Sequence, residues 1–153
     1  MKPEKTDNTI IVNKKLFFDY NVEEYFIAGI ALEGWEVKSL RAGKVTITDA
    51  HVIIKKGEAY LLGSSIQPLV TTAKISLPEP GRTRKLLLTK REINRLVGAI
   101  ERSGFTIIPV SIFWQKNFIK LKIALAKGKK QHDKRTAVKD RDWQRQQARL
   151  LKK

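Results

Sequence analysis

A chain of 153 residues with 31 Lys/Arg against 15 Asp/Glu, net charge +16, is sized for one core plus a tail, and its charge calls for an acidic partner, nucleic acid before an anionic membrane surface. With no cysteine, the sequence excludes a disulfide framework, a thiolate nucleophile and a Cys-based zinc site. No apolar run approaches the roughly 20 residues that span a bilayer, and Met1-Lys2-Pro3-Glu4-Lys5 lacks the apolar region of a signal peptide, so composition points to a soluble cytoplasmic protein.

In chain order, Thr9-Ile10-Ile11-Val12 reads as a first strand, stopped at Asn13-Lys14-Lys15. Residues 21–29 read as a short helix, with Asn21 as cap, Glu23 and Glu24 in the first turn and Gly29 at the end. Trp35 to Leu40 alternates and predicts a strand that stops at Arg41-Ala42-Gly43, with Val45–Thr48 continuing it past a bulge at Gly43. His51–Ile54 and Ala59–Leu62 flank Lys55-Lys56-Gly57-Glu58 and predict a hairpin. Residues 67–84, with Pro68, Pro78, Pro80 and Gly81, read as a long excursion before a strand at Lys85–Leu88. Thr89-Lys90-Arg91-Glu92 is a capping box opening a helix through Ile93, Leu96, Val97 and Ile100, closed at Ser103-Gly104. Two β-rich runs, Thr106–Trp114 and Phe118–Ala126, follow; in the second, Ile119, Leu121, Ile123 and Leu125 face one way, Lys120 and Lys122 the other.

These elements predict a mainly β protein with short helices: an OB-like antiparallel β-barrel over residues 1–126, followed by a basic C-terminal tail, 127–153, that is disordered or helical. The tail holds eleven Lys/Arg against three Asp, half of the net charge, and its large apolar groups are only Val138, Trp143, Leu150 and Leu151. Such a segment buries too little apolar surface to offset its ordering entropy, and a polyanion is what it could order against. A second basic cluster, Arg82-Thr83-Arg84-Lys85, lies beside a strand and suits phosphate positioning; Asn13-Lys14-Lys15 and Lys38-Ser39-Leu40-Arg41 are weaker versions. No phosphate loop, His-Glu-x-x-His, Gly-x-Ser-x-Gly or dinucleotide fingerprint is present. His51 and His132 stand far apart in sequence, and Glu23-Glu24 reads as helix-terminal charge rather than an acid/base pair. The expectation is a binding protein, not an enzyme, with no metal, cofactor or small-molecule substrate.

Three segments, Gly34-Trp35-Glu36-Val37-Lys38-Ser39-Leu40-Arg41-Ala42-Gly43-Lys44, Arg82-Thr83-Arg84-Lys85-Leu86-Leu87-Leu88 and Ala126-Lys127-Gly128-Lys129-Lys130-Gln131-His132-Asp133-Lys134-Arg135, resemble the SsrA-binding protein (SmpB) family in content and order. Asn13-Lys14 and Ala28-Gly29-Ile30 fit as well, and the similarity spans roughly residues 9 to 151. The resemblance implies an OB-like barrel that holds the transfer-RNA-like part of transfer-messenger RNA. It also implies a tail that enters the vacant messenger channel and decoding centre of a stalled ribosome. On this resemblance the RNA-facing set comprises Asn13, Lys14, Tyr20, Leu87 and Lys120, and charge adds Lys38, Arg41, Arg82, Arg84 and Lys85 as phosphate contacts. The implied ribosome-facing tail residues are Gly128, Lys129, Lys130, His132, Asp133, Lys134, Arg135, Trp143, Leu150 and Leu151. One departure stands out: Ile27 occupies a position where the family usually carries Glu, so an apolar contact would replace a polar one there. The alternative is a general single-stranded RNA-binding or ribosomal OB-fold protein.

Overall fold

The computed structural model describes residues 8–69 and 79–129. The chain runs β1 (Thr9–Val12), α1 (Leu16–Asp19), β2 (Tyr20–Ile30), α2 (Gly34–Arg41), β3 (Val45–Thr46), β4 (His51–Lys55), β5 (Glu58–Leu62), β6 (Ser65–Ile66), β7 (Arg84–Leu87), α3 (Lys90–Ser103), β8 (Thr106–Gln115) and β9 (Phe118–Gly128). Neighbouring strands pair in the order β8-β4-β5-β7-β2-β9, and β9 returns to β8, so the antiparallel sheet closes on itself as expected. Closure works because β8 shares one edge between two partners: Ile107 pairs with Val52 of β4, whereas Ser111–Phe113 pair with β1. Pro109, which has no N–H to give a ladder, sits where the β8–β9 register shifts.

The interior is filled by the inward side chains of these strands, among them Phe26, Ala28, Leu61, Leu86, Ile107, Ile112, Leu121 and Ile123, each buried. Leu96 of α3 plugs the same core. A second, smaller cluster lies on the outer side of the sheet, where Leu16 of α1 covers Ile108, Val110 and Ala124. Helix α3 has the predicted capping box: Thr89 Oγ1 accepts from the Glu92 N–H, and Glu92 Oε1 accepts from the Thr89 N–H. It closes at Gly104, whose φ of +68° lies in the left-handed region. The β4–β5 hairpin turns through Lys56 and Gly57, both at positive φ, as a two-residue primed turn requires.

Two elements differ from the sequence reading. Residues 21–29 are the middle of strand β2, not a helix: Phe26, Ala28 and Ile30 are buried while Tyr25 and Ile27 point outward, a period of two. Conversely, the stretch from Trp35 to Leu40 lies in helix α2, not a strand, because the residues that bury are Glu36, Ser39 and Leu40, at helical spacing. The Glu33 N–H donates to Glu36 Oε1 at 2.7 Å and fixes the helix start. The strand expected to continue after Gly43 is reduced to Val45–Thr46, paired with Ser65–Ile66. No described helix is long and apolar enough to cross a membrane.

Candidate nucleic-acid interface

The outer face of β7, β2 and β9 carries apolar and aromatic groups interleaved with lysines. Register aligns Leu87 with Gly29 and Gly29 with Lys120, and one step along it aligns Ile27 with Lys122. Leu87 is 57% exposed, Ile27 44% and Phe118 68%, and apolar side chains exposed together on one face mark an interaction surface. The lysines lie over the rings: Lys122 Nζ is 4.4 Å from the Tyr25 ring centroid, and Lys120 Nζ is 5.9 Å from that of Phe118. Neither lysine has a carboxylate partner within 4.0 Å among the described residues, so their charge remains available to an anion. From strand spacing and rise, the row from Leu87 to β9 and the run from Phe118 to Lys122 frame a patch about 10 by 13 Å. Such a surface offers phosphate neutralisation and π-faces or apolar ledges for bases together.

Gly29 lets this face exist. A Cβ there would stand 3.1 Å from the Leu87 Cβ and 3.3 Å from its Cδ1, so the missing side chain at position 29 lets Leu87 lie closely across β2 without shifting.

The sequence-derived residues divide. Leu87 and Lys120 are on the patch, and Lys85 shares the outward side of β7, its Nζ 2.7 Å from Glu58 Oε2. The hydrogen bond and charge of Glu58 hold the Lys85 ammonium above its ordinary pKa. Lys14, Lys38 and Arg41 are exposed, with the Arg41 guanidinium 5.5 Å from the Trp114 ring centroid. Tyr20 is half-buried against the small outer cluster and lines a cleft of about 370 Å³ shared with Asn13, Asp49 and His51.

Three expectations need correction. Arg84 cannot meet a phosphate: its side chain is 0% exposed, its Nε donates to Glu36 Oε2 at 2.6 Å, and its remaining nitrogens donate to Ser64 Oγ and to the Arg82 and Pro80 carbonyls. Arg82 joins it, donating to both Glu36 oxygens and to the Ala31 carbonyl. Burial pushes the Glu36 carboxyl up, but the donors from Arg82, the Glu33 N–H and Arg84 outweigh it and leave it below the ordinary value. Asn13 is also buried; its N–H and Nδ2 donate to the Val110 and Pro109 carbonyls, pinning the β1–α1 corner onto β8.

At the tail root, β9 continues through Gly128, and Lys129 is tied to α1: its N–H donates to the Asp19 carbonyl at 2.8 Å and its Nζ to the Phe17 carbonyl at 2.7 Å. Lys130, His132, Asp133, Lys134, Arg135, Trp143, Leu150 and Leu151 lie outside the described residues. The sequence reading missed Tyr25, Lys122 and Phe118. Lys122 shares the outward alternation already noted for Lys120, whereas Tyr25 was hidden by reading β2 as a helix.

A closed, strongly basic OB-like barrel with an aromatic–lysine face defines a nucleic-acid-binding barrel protein. The family described as "SmpB protein" matches residues 10–153. An SsrA-binding protein of Pseudoalteromonas atlantica is 51% identical over 151 residues, covering 99% of this chain and 96% of its own length. Those of Alkalilimnicola ehrlichii and Coxiella burnetii (strain Dugway 5J108-111) are 53% and 52% identical over 99% and 94% of this chain, and 95% and 91% of their own. A solved chain described as "tmRNA-SmpB: a journey to the center of the bacterial ribosome" superposes with a TM-score of 0.67 at 39% identity, over 85% of this chain and 94% of that one. The chain belongs to the SmpB protein family.

Proposed function

We propose that the chain binds transfer-messenger RNA, delivers it to stalled ribosomes and thereby takes part in trans-translation in the cytoplasm. Kinship with SsrA-binding proteins over nearly the whole length supports the partner and the process. The observation that carries the mode of binding is the outward face of Leu87, Ile27, Tyr25, Lys120 and Lys122. On that face the lysines neutralise phosphates and the apolar groups support unstacked bases of a folded RNA, with recognition by shape rather than by sequence. The tail beyond Lys129, where β9 and its bonds to α1 end, forms a functional unit of its own: it reaches into the empty messenger channel and decoding centre, and an intact message competes with it for that space. The protein supplies binding and positioning, not chemistry.

The test is to sequence the RNA that co-purifies with the full chain from its host and to measure affinity for that RNA at fixed salt. One structured RNA, bound far more tightly than unrelated RNAs, is expected. Equal affinity for all single-stranded RNAs would overturn the reading and favour a general RNA-binding barrel.

A further inference from the structure

Lys85 is unlike the other lysines of this face. Lys120 and Lys122 lie over aromatic rings and have no carboxylate within 4.0 Å among the described residues, whereas the Lys85 charge is compensated by Glu58 at 2.7 Å, an ion pair in which both side chains are about half exposed. The pair is set by the sheet, since Lys85 stands opposite Tyr60 in the β5–β7 register. Glu58 lies two residues before Tyr60 on the same side, within 3.5 Å of the Tyr60 hydroxyl. Lys85 and Glu58 line a groove of about 400 Å³ whose other walls include Leu87, Lys90, Ile93 and Asn94. Of the N–H groups at the start of α3, those of Thr89 and Glu92 are already taken by the capping box. What the groove presents is two ammonium groups, one carboxylate and an apolar wall contiguous with the exposed Leu87.

We propose that Glu58 is a specificity-determining residue of the RNA face. By holding Lys85, it reserves that lysine for a phosphate seated in the groove beside Leu87 and silences it toward RNA that only grazes the surface. The inference rests on the proposed reading of this face as the RNA interface. A half-exposed ion pair is weak, so exchanging Glu58 for a phosphate is nearly balanced and responds to small differences in placement. RNA whose shape fixes a backbone over Leu87 brings the phosphate within reach and completes the exchange. A flexible strand does not hold it there, and meets Glu58 as a repulsive charge instead. Glu58 thus acts by weakening the wrong complex more than the right one.

Wild type, Glu58→Gln, Lys85→Ala and the double variant are titrated with transfer-messenger RNA and with an oligouridine strand at one salt concentration. Glu101→Gln, an exposed carboxylate at the far end of α3, corrects for loss of a negative charge as such. The expected result is that Lys85→Ala weakens transfer-messenger RNA binding about two- to fivefold. Glu58→Gln tightens oligouridine binding by a similar factor beyond the Glu101→Gln control, with little gain for transfer-messenger RNA, and the gain disappears in the Lys85→Ala background. If Lys85→Ala weakens binding but Glu58→Gln matches Glu101→Gln, or keeps its gain without Lys85, the proposal for Glu58 falls and the interface stands. If Lys85→Ala changes nothing, Lys85 is not in the interface and the proposal for Glu58 falls, while the face itself stands or falls with Lys122→Ala.

Discussion

Glu36→Ala tests the buried charge cluster directly. Alanine is a good helix former, but the substitution leaves the Arg84 guanidinium, 0% exposed, without its carboxylate, removes the acceptor that holds Arg82, and removes the acceptor of the Glu33 N–H at the helix start. Stripping one partner from a buried ion pair costs about 3–5 kcal/mol, since the remaining charge cannot regain its hydration. For a chain of this length each kcal/mol lowers Tm by about 2–4 °C, so a drop of about 6–20 °C is expected. The pH dependence carries a sign. The Glu36 carboxyl sits below its ordinary value of 4.5 in the folded state, so its contribution is full above that value and is lost as pH falls through the lower, folded one. Urea unfolding followed by tryptophan fluorescence from pH 7 to pH 3 should therefore show wild type losing stability more steeply in acid than the variant. A loss below about 1 kcal/mol at pH 7, or parallel acid limbs, would refute the reasoning.

Arg84→Met should lower stability while leaving the salt dependence of RNA binding unchanged; Lys122→Ala should reduce that slope by about 0.7–0.9 with little effect on Tm. A filter-binding salt titration of both variants separates the structural arginine from the phosphate-facing lysine. Gly29→Ala should push Leu87 off β2, weakening RNA binding several-fold with a Tm shift of a few degrees; unchanged affinity would remove Leu87 from the interface. Truncation after Lys129 keeps both hydrogen bonds to α1, so RNA affinity should persist while rescue in a stalled-translation assay is lost; retained rescue would contradict the division of roles.

Three local signals agree with the structure. The β4–β5 turn needs two residues at positive φ and shows Lys56-Gly57; α3 announces both ends through Thr89, Glu92 and Gly104; and Lys120 and Lys122 alternate with a strongly apolar inner row. The family motifs, too, lie in the linear text. The 21–29 and 35–40 segments failed because each is short enough to satisfy either period: Asn21, Glu23 and Glu24 mimic a helix start, and Trp35, Val37 and Ser39 mimic a strand face. The choice was made by what each segment packs on, β2 between β7 and β9, and α2 over the buried Arg84 and the half-buried Arg82.

By itself, then, the sequence determined the basic character, the β4–β5 turn, the caps of α3 and the lysine row of β9, since each rests on neighbours within a few residues, and the number of short strands indicated the barrel class. Only the tertiary structure decided which arginine is structural. Within one basic run, Arg84 turns inward and Lys85 outward, and the carboxylate that claims Arg84 comes from Glu36, 48 positions away. Whether a cation meets a carboxylate or a phosphate depends on which groups the closed sheet brings within about 4 Å of it, and no local pattern of charge encodes that.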